Sequence, residues 1–287
     1  MLFRRLIWTS LFIALVVGSL QAVLQHRLAV PIILAAEVFE EGASSQTTVP
    51  LPLHDEHPHG AEQAGHAPLL ATPHEHEHAE ATQEWTPANG HERAFWTWVA
   101  TVLNTLALAL LALAAMATSL LATIRRGDQP ARALPLGISV AVMGWFSLHL
   151  WPTLGLPAEL PGMEAAALSA RQGWWLWAAV SALGACALLA LSRKSWRWPL
   201  AALLLALPFL VGAPQLAGDP LGAFGPEAQT QMRALQARFG VVTHLLAATQ
   251  WLGIGWLGGW LFGRWVQPFL TLSALRDPAV ALHRQTP

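Results

Sequence analysis

Charge is scarce in this chain. Asp, Glu, Lys and Arg make up 11% of it and hydrophobic residues 54%, whereas a soluble domain carries about 25% charged residues. A soluble domain of any size is therefore excluded, and the 287 residues cannot also bury a conventional core. Tyrosine is absent although tryptophan occurs 15 times, often at the ends of apolar blocks, where interfacial aromatics belong. Cys186 is the only cysteine, so a disulfide framework or a thiolate metal site within one chain is excluded. The formal net charge of -1 argues against nucleic acid as a partner. The chain also lacks a Gly-x-x-x-x-Gly-Lys-Ser/Thr loop, a dinucleotide fingerprint and a nucleophile elbow. No enzyme activity is expected, and any energy input must come from an ion gradient, the membrane potential or a partner.

The apolar residues are gathered in blocks long enough to cross a hydrocarbon layer about 30 Å thick. Leu6 to Leu24 is the first span, with a cleaved signal peptide as the alternative. Leu28 to Phe39 follows as a kinked extension or interfacial helix, interrupted by Pro31. Ala94 to Ile124, Leu134 to Trp151 (ended by Pro152) and Trp174 to Leu191 are the next three spans. A connector from Thr153 to Gln172, with a short helix from Glu164 to Arg171, precedes the last of these. Trp198 to Val211 is short and carries Pro199 and Pro208, and the final span runs from about Phe239 to Val266. In it Gly255, Gly259 and Gly263 form a stripe that allows close approach of another helix.

The fold class predicted is all-α: a polytopic membrane helix bundle of about six spans, five being the alternative, with a disordered His-rich loop. Residues 1–36 form the first span and its extension, 37–93 the loop, 94–266 the further spans and 267–287 a tail. With six spans and the N-terminus inside, eleven of the sixteen basic residues lie on the inner side. Fifteen of the seventeen acidic residues then lie outside. Lys and Arg bias sets orientation, so both termini are expected to be cytoplasmic and the loop extracytoplasmic.

That loop holds the densest chemistry. Between Leu53 and Glu92 lie His54, His57, His59, His66, His74, His76, His78 and His91, interleaved with eight carboxylates and broken by Pro and Gly. Such a segment cannot bury enough apolar surface to fold, yet offers many imidazole and carboxylate ligands. In His74-Glu75-His76-Glu77-His78 an extended chain puts the three imidazoles on one face, and a helix makes His74 and His78 neighbours. Nitrogen and oxygen ligands suit Co²⁺, Ni²⁺, Zn²⁺ or Cu²⁺ without choosing among them.

Passage of an ion needs polar groups at membrane depth, where they are costly. Gln21, Gln25, His26, Asn104, His149, His244 and Gln250 are the candidates. Asn104, Gln21 and Gln250 also suit interhelical hydrogen bonding, and His149 could sit at the interface. Glu37, Glu40 and Glu41 form either an acidic vestibule or ordinary solvated charge. The residues expected to meet metal are therefore the seven loop histidines from His54 to His78, with His26, Glu37 and Glu40 at the mouth and His149 and His244 inside.

The order of parts resembles the CbtA family, the larger membrane subunit of a bacterial cobalt transporter. The resemblance rests on the opening Met-Leu-Phe-Arg-Arg, on Pro31-Ile32-Ile33-Leu34 leading to Glu37-Val38-Phe39-Glu40, and on the His-rich loop. It continues through Gly155-Leu156-Pro157, Glu159-Leu160-Pro161-Gly162-Met163, Ala170-Arg171-Gln172 before Trp174-Trp175, and Gly212-Ala213-Pro214-Gln215. It implies cobalt uptake across the cytoplasmic membrane, associated with cobalamin synthesis, beside a small single-span CbtB-type subunit. Two departures stand out: members often carry His at the position of Phe209, and five spans are usual where six are counted here. The alternative is a non-transporting metal-binding sensor or scaffold whose Gly255/Gly259/Gly263 face docks the conducting partner.

Overall fold

The computed structural model describes residues 2–47 and 90–275. His54, His57, His59, His66, His74, His76 and His78 lie outside the described residues, as do residues 276–287 of the expected tail; the ends of the expected loop, residues 37 and 93, and the first residues of the tail, 267–275, are helical. Among those described, the ordered secondary structure is helical. Helix α1 (Leu2–Leu28) is separated by one turn from α2 (Val30–Thr47), and α3 follows (His91–Arg125). Helix α4 (Ala133–Trp145) runs into a π-helical turn (Phe146–Leu150) and the short α5 (Trp151–Thr153). Then come α6 (Leu168–Leu191), α7 (Arg197–Val211) and α8 (Pro226–Leu261). A second π-helical turn (Phe262–Val266) leads into α9 (Gln267–Leu275).

Four of these stretches are long and apolar enough to cross a membrane: Leu2–Leu28, His91–Arg125, Ala133–Thr153 and Leu168–Leu191. Helix α7 is apolar but has 15 residues, a rise of about 22 Å. The polar residues of α8, from the Glu227 end through His244 and Gln250, dilute its apolar character.

Several boundaries differ from those expected. Pro31 sits in the first turn of α2, where a missing N–H costs nothing, so it starts a new helix instead of kinking the first. Pro152 does not end the third span; the helix passes it to Thr153. The helix expected from Glu164 begins at Leu168 and continues unbroken as α6. The last helix begins at Pro226, thirteen residues before Phe239, because Gly225 and Pro226 supply a helix start.

Helix α1 lies along α3 and α8, α4 lies along α8, and α6 with α7 forms a hairpin against the π turn after α4. The main core is where α1, α3 and α8 meet: Ile13, Leu113, Met116, Leu120, Ile254, Leu261 and Phe262 are almost fully buried. Side-chain amides bind the same helices. Gln21 Nε2 donates to the Leu246 carbonyl at 3.0 Å, and Gln250 Nε2 to Thr105 Oγ1 at 3.0 Å. Thr101 Oγ1 donates to Gln25 Oε1 at 2.9 Å. Buried amides in lipid need such partners, and each contributes about 0.6 kcal/mol to helix association. Asn104 instead faces outward on α3.

A second cluster, Ile32, Ala36, Leu160, Leu221, Phe224 and Met232, clamps α2 beneath the two connectors that flank the α6–α7 hairpin. Those connectors are joined by the Glu164 N–H donating to the Pro220 carbonyl at 2.9 Å. Gly162, at φ +78, turns the first connector where a side chain would be strained.

Candidate metal path

His149 and His244 lie along the antiparallel contact of α4 and α8. Gly255, Gly259 and Gly263 do admit a close neighbour, and that neighbour is α4 of the same chain. A Cβ added at Gly255 would come 2.8 Å from the Gly137 carbonyl oxygen, and one at Gly263 would come 2.8 Å from Ala133 Cβ. One added at Gly137 would lie 2.7 Å from Gly259 Cα. Further along, Gly144 receives the Trp251 ring, whose Cε3 would stand 2.8 Å from a Cβ there. The docking face expected for a partner is therefore already covered from within, a correction to that part of the scaffold reading.

Beyond Gly144 the contact becomes polar. His149 Nε2 and His244 Nδ1 are 2.8 Å apart, one ring donating and the other accepting, and the rings meet edge to face at 5.0 Å and 89°. Both histidines are half-buried. Two residues expected to act at membrane depth, 95 positions apart in sequence, are thus brought together.

The π turn is what aligns them. Gly137, Ala141 and Gly144 follow helical spacing on the face toward α8, and a regular helix would continue that face at Leu148. The π turn from Phe146 to Leu150 contains one residue more than an α-turn, so His149 takes the place Leu148 would have held. Its cause is Pro152, which has no N–H for the Leu148 carbonyl and whose ring crowds it. The same spacing recurs later: Phe262 stands six residues before Pro268, as Phe146 stands six before Pro152, and there too a π turn precedes the proline. The backbone at that second turn offers the Trp265 carbonyl to Arg5 Nη1 at 2.8 Å.

Aromatic rings wall the outer side of the first π turn. Phe209 contacts Trp151 at 5.1 Å and Trp174 at 5.6 Å, both edge to face, and Phe146 lies 5.2 Å from Trp151. Trp174 Nε1 donates to the Pro208 carbonyl at 3.0 Å. Phe209 is thus a packing residue here. Ser147, fully buried, donates to Cys186 Sγ at 3.6 Å, so the lone cysteine is a hydrogen-bond partner between helices.

The expected mouth residues are arranged differently. Glu37 is held by Arg93, with Oε1 2.8 Å from Nη2, so its carboxylate ties α2 to α3 on either side of the His-rich segment. Sequence alone does not pair them, although opposite charges bracketing one loop are the available signal. His26 lines a cavity of about 510 Å³ between α1, α2 and α3, together with Arg27 and Arg93. Glu40 lies beside Gly162 of the first connector. These three do not converge, and among the described residues no group of three His, Cys, Asp or Glu side chains could hold a metal ion.

Two imidazoles can share a proton or hold a metal. Metal–nitrogen bonds of about 2.0–2.1 Å set two ligands of one ion roughly 3 Å apart or more. The pair at 2.8 Å is therefore in its hydrogen-bonded form and would open slightly to take an ion.

No curated protein and no solved structure matches the chain. A family model does: that described as "Probable cobalt transporter subunit (CbtA)" matches residues 3–263. The match covers nearly the whole chain and agrees with helices long and apolar enough to cross a membrane, and the chain belongs to the CbtA family of probable cobalt transporter subunits.

Proposed function

We propose that this chain is the membrane path of a divalent metal uptake system, cobalt being the favoured ion, and that His149 and His244 form its interior station. The observation that carries the reading is the 2.8 Å contact between those imidazoles on two helices otherwise joined by glycine. Two protein ligands suit passage better than storage, because a conducting site must bind well enough to admit an ion and weakly enough to release it. Water or backbone carbonyls complete the coordination. The cobalt assignment comes from the family.

In this reading α7 and the α8–α9 rod also cross the bilayer, giving six crossings in a bacterial cytoplasmic membrane with both termini inside. The segregation of basic and acidic residues supports that orientation. His54, His57, His59, His66, His74, His76 and His78 gather ions outside. His26, Glu37 and Glu40 stand near the point of entry, although Glu37 reaches it only if it leaves Arg93. A small single-span CbtB-type subunit completes the assembly.

The test is uptake of radioactive cobalt by cells expressing the chain with and without that partner, nickel and zinc serving as competitors. Uptake that requires the chain and survives excess nickel and zinc supports a cobalt path. Deleting residues 48–89 then separates the two readings. A transporter loses affinity for scarce metal and keeps its capacity, whereas a sensor or scaffold has no uptake to keep.

A further inference from the structure

The cavity beside His26 has a character that metal capture does not explain. Its floor and walls are apolar, formed by Ala22, Val23, Val30 and Leu34, and Val23 and Leu34 are exposed on the outer surface of the bundle. Its rim carries two guanidinium groups, Arg27 and Arg93, the latter already bound to Glu37, with the His26 imidazole beside them. A divalent cation gains nothing from two guanidinium neighbours.

An independent observation fixes its depth. Phe95, Trp96 and Trp98 are exposed on α3 within two turns of Arg93, packed ring against ring at 5.5 and 6.2 Å. Exposed aromatics of this kind sit at the level of lipid headgroups. The cavity thus has its cations at headgroup depth and its apolar wall running toward the hydrocarbon. Its volume of about 510 Å³ falls within the range of small-molecule sites. Arginine is suited to phosphate, which it contacts through paired N–H groups.

We propose that this cavity binds an anionic phospholipid, its phosphate on Arg27 and His26 and an acyl chain along Val23, Leu34 and Trp98. The bound lipid would wedge α1, the first turns of α2 and the start of α3. The proposal gives His26 to the lipid in place of a role in metal entry, and does not depend on the His149–His244 pair.

The test uses the full chain in nanodiscs made from equal parts of phosphatidylglycerol and phosphatidylcholine, with retained lipids counted by native mass spectrometry. Phosphatidylglycerol is expected to be retained over phosphatidylcholine by about tenfold, the worth of one charged hydrogen-bonding contact. Arg27→Gln should abolish the preference, Arg27→Lys should restore part of it, and Arg126→Gln, at the opposite end of α3, should leave it intact. Equal retention of the two lipids, or a preference indifferent to Arg27→Gln, overturns the proposal. So does displacement of the lipid by millimolar inorganic phosphate, which would identify a site for a free anion.

Discussion

His149 on the π turn after α4 and His244 on α8 share a hydrogen bond of 2.8 Å, ring nitrogen to ring nitrogen. On the proposed metal path, each imidazole acts with its partner as a unit. His149→Ala and His244→Ala should each lower maximal cobalt uptake at saturating metal by about tenfold or more. The double variant should lose little beyond either single one, because the second imidazole alone no longer makes a site. Losses that multiply would mean separate roles, and full uptake in the single variants would remove the pair from the path.

Ligation by the loop histidines needs the neutral imidazole. Lowering the pH adds the proton that occupies the ligand lone pair, so uptake should fall with falling pH and level off above the imidazole range. For capture by a reference imidazole, which titrates at about pH 6.5, uptake of scarce cobalt at about pH 5.5 should be roughly a tenth of that at about pH 7.5. The measurement is cobalt uptake at clamped membrane potential. A flat profile would count against histidine ligation.

The α4–α8 contact leaves no room for a methyl group at Gly137, whose Cβ would press on Gly255 and Gly259 backbone. Gly137→Ala should therefore destabilise the protein by about 1–3 kcal/mol, the usual cost of overpacking. A methyl group at Gly173 on α6 would meet nothing within 4 Å. Gly173→Ala should be neutral or stabilising by about 0.4–1 kcal/mol. Unfolding in detergent compares the two, and equal effects would show that the glycine contact does not hold α4 in place.

Gln250 lies on the same helix as His244 but points to Thr105 of α3. Gln250→Leu should reduce stability by about 0.6 kcal/mol and leave cobalt uptake at its original rate. Lost uptake in a variant of normal stability would place this amide on the ion path instead.

Much of this arrangement is legible in the amino-acid sequence, because membrane helices announce themselves by length and hydrophobicity. Gly255, Gly259 and Gly263 read as a close-approach face, since four-residue spacing is a property of the helix alone. What they approach is not legible, because Gly137 and Ala133 lie more than a hundred positions away and match them only after folding. His149 and His244 can be singled out by the cost of polarity in a span. Their meeting cannot, since regular helical spacing puts Leu148 on the face toward α8. The repeated Phe and Pro six residues apart is the available sign, and it becomes readable only once a proline is seen to add a residue to the turn before it. Pro152 and Pro31 mislead for a related reason: proline is tolerated in a first turn and beside a π turn as well as at a helix end.

The extra residue at the π turn also separates two jobs that a straight helix would lock together. Without the extra residue ahead of it, His149 would be rotated about the helix axis by about 100° from its present direction. The glycine contact below it would not have to slip. The direction of His149 is thus set by the turn, apart from the glycine contact that seats the rest of α4.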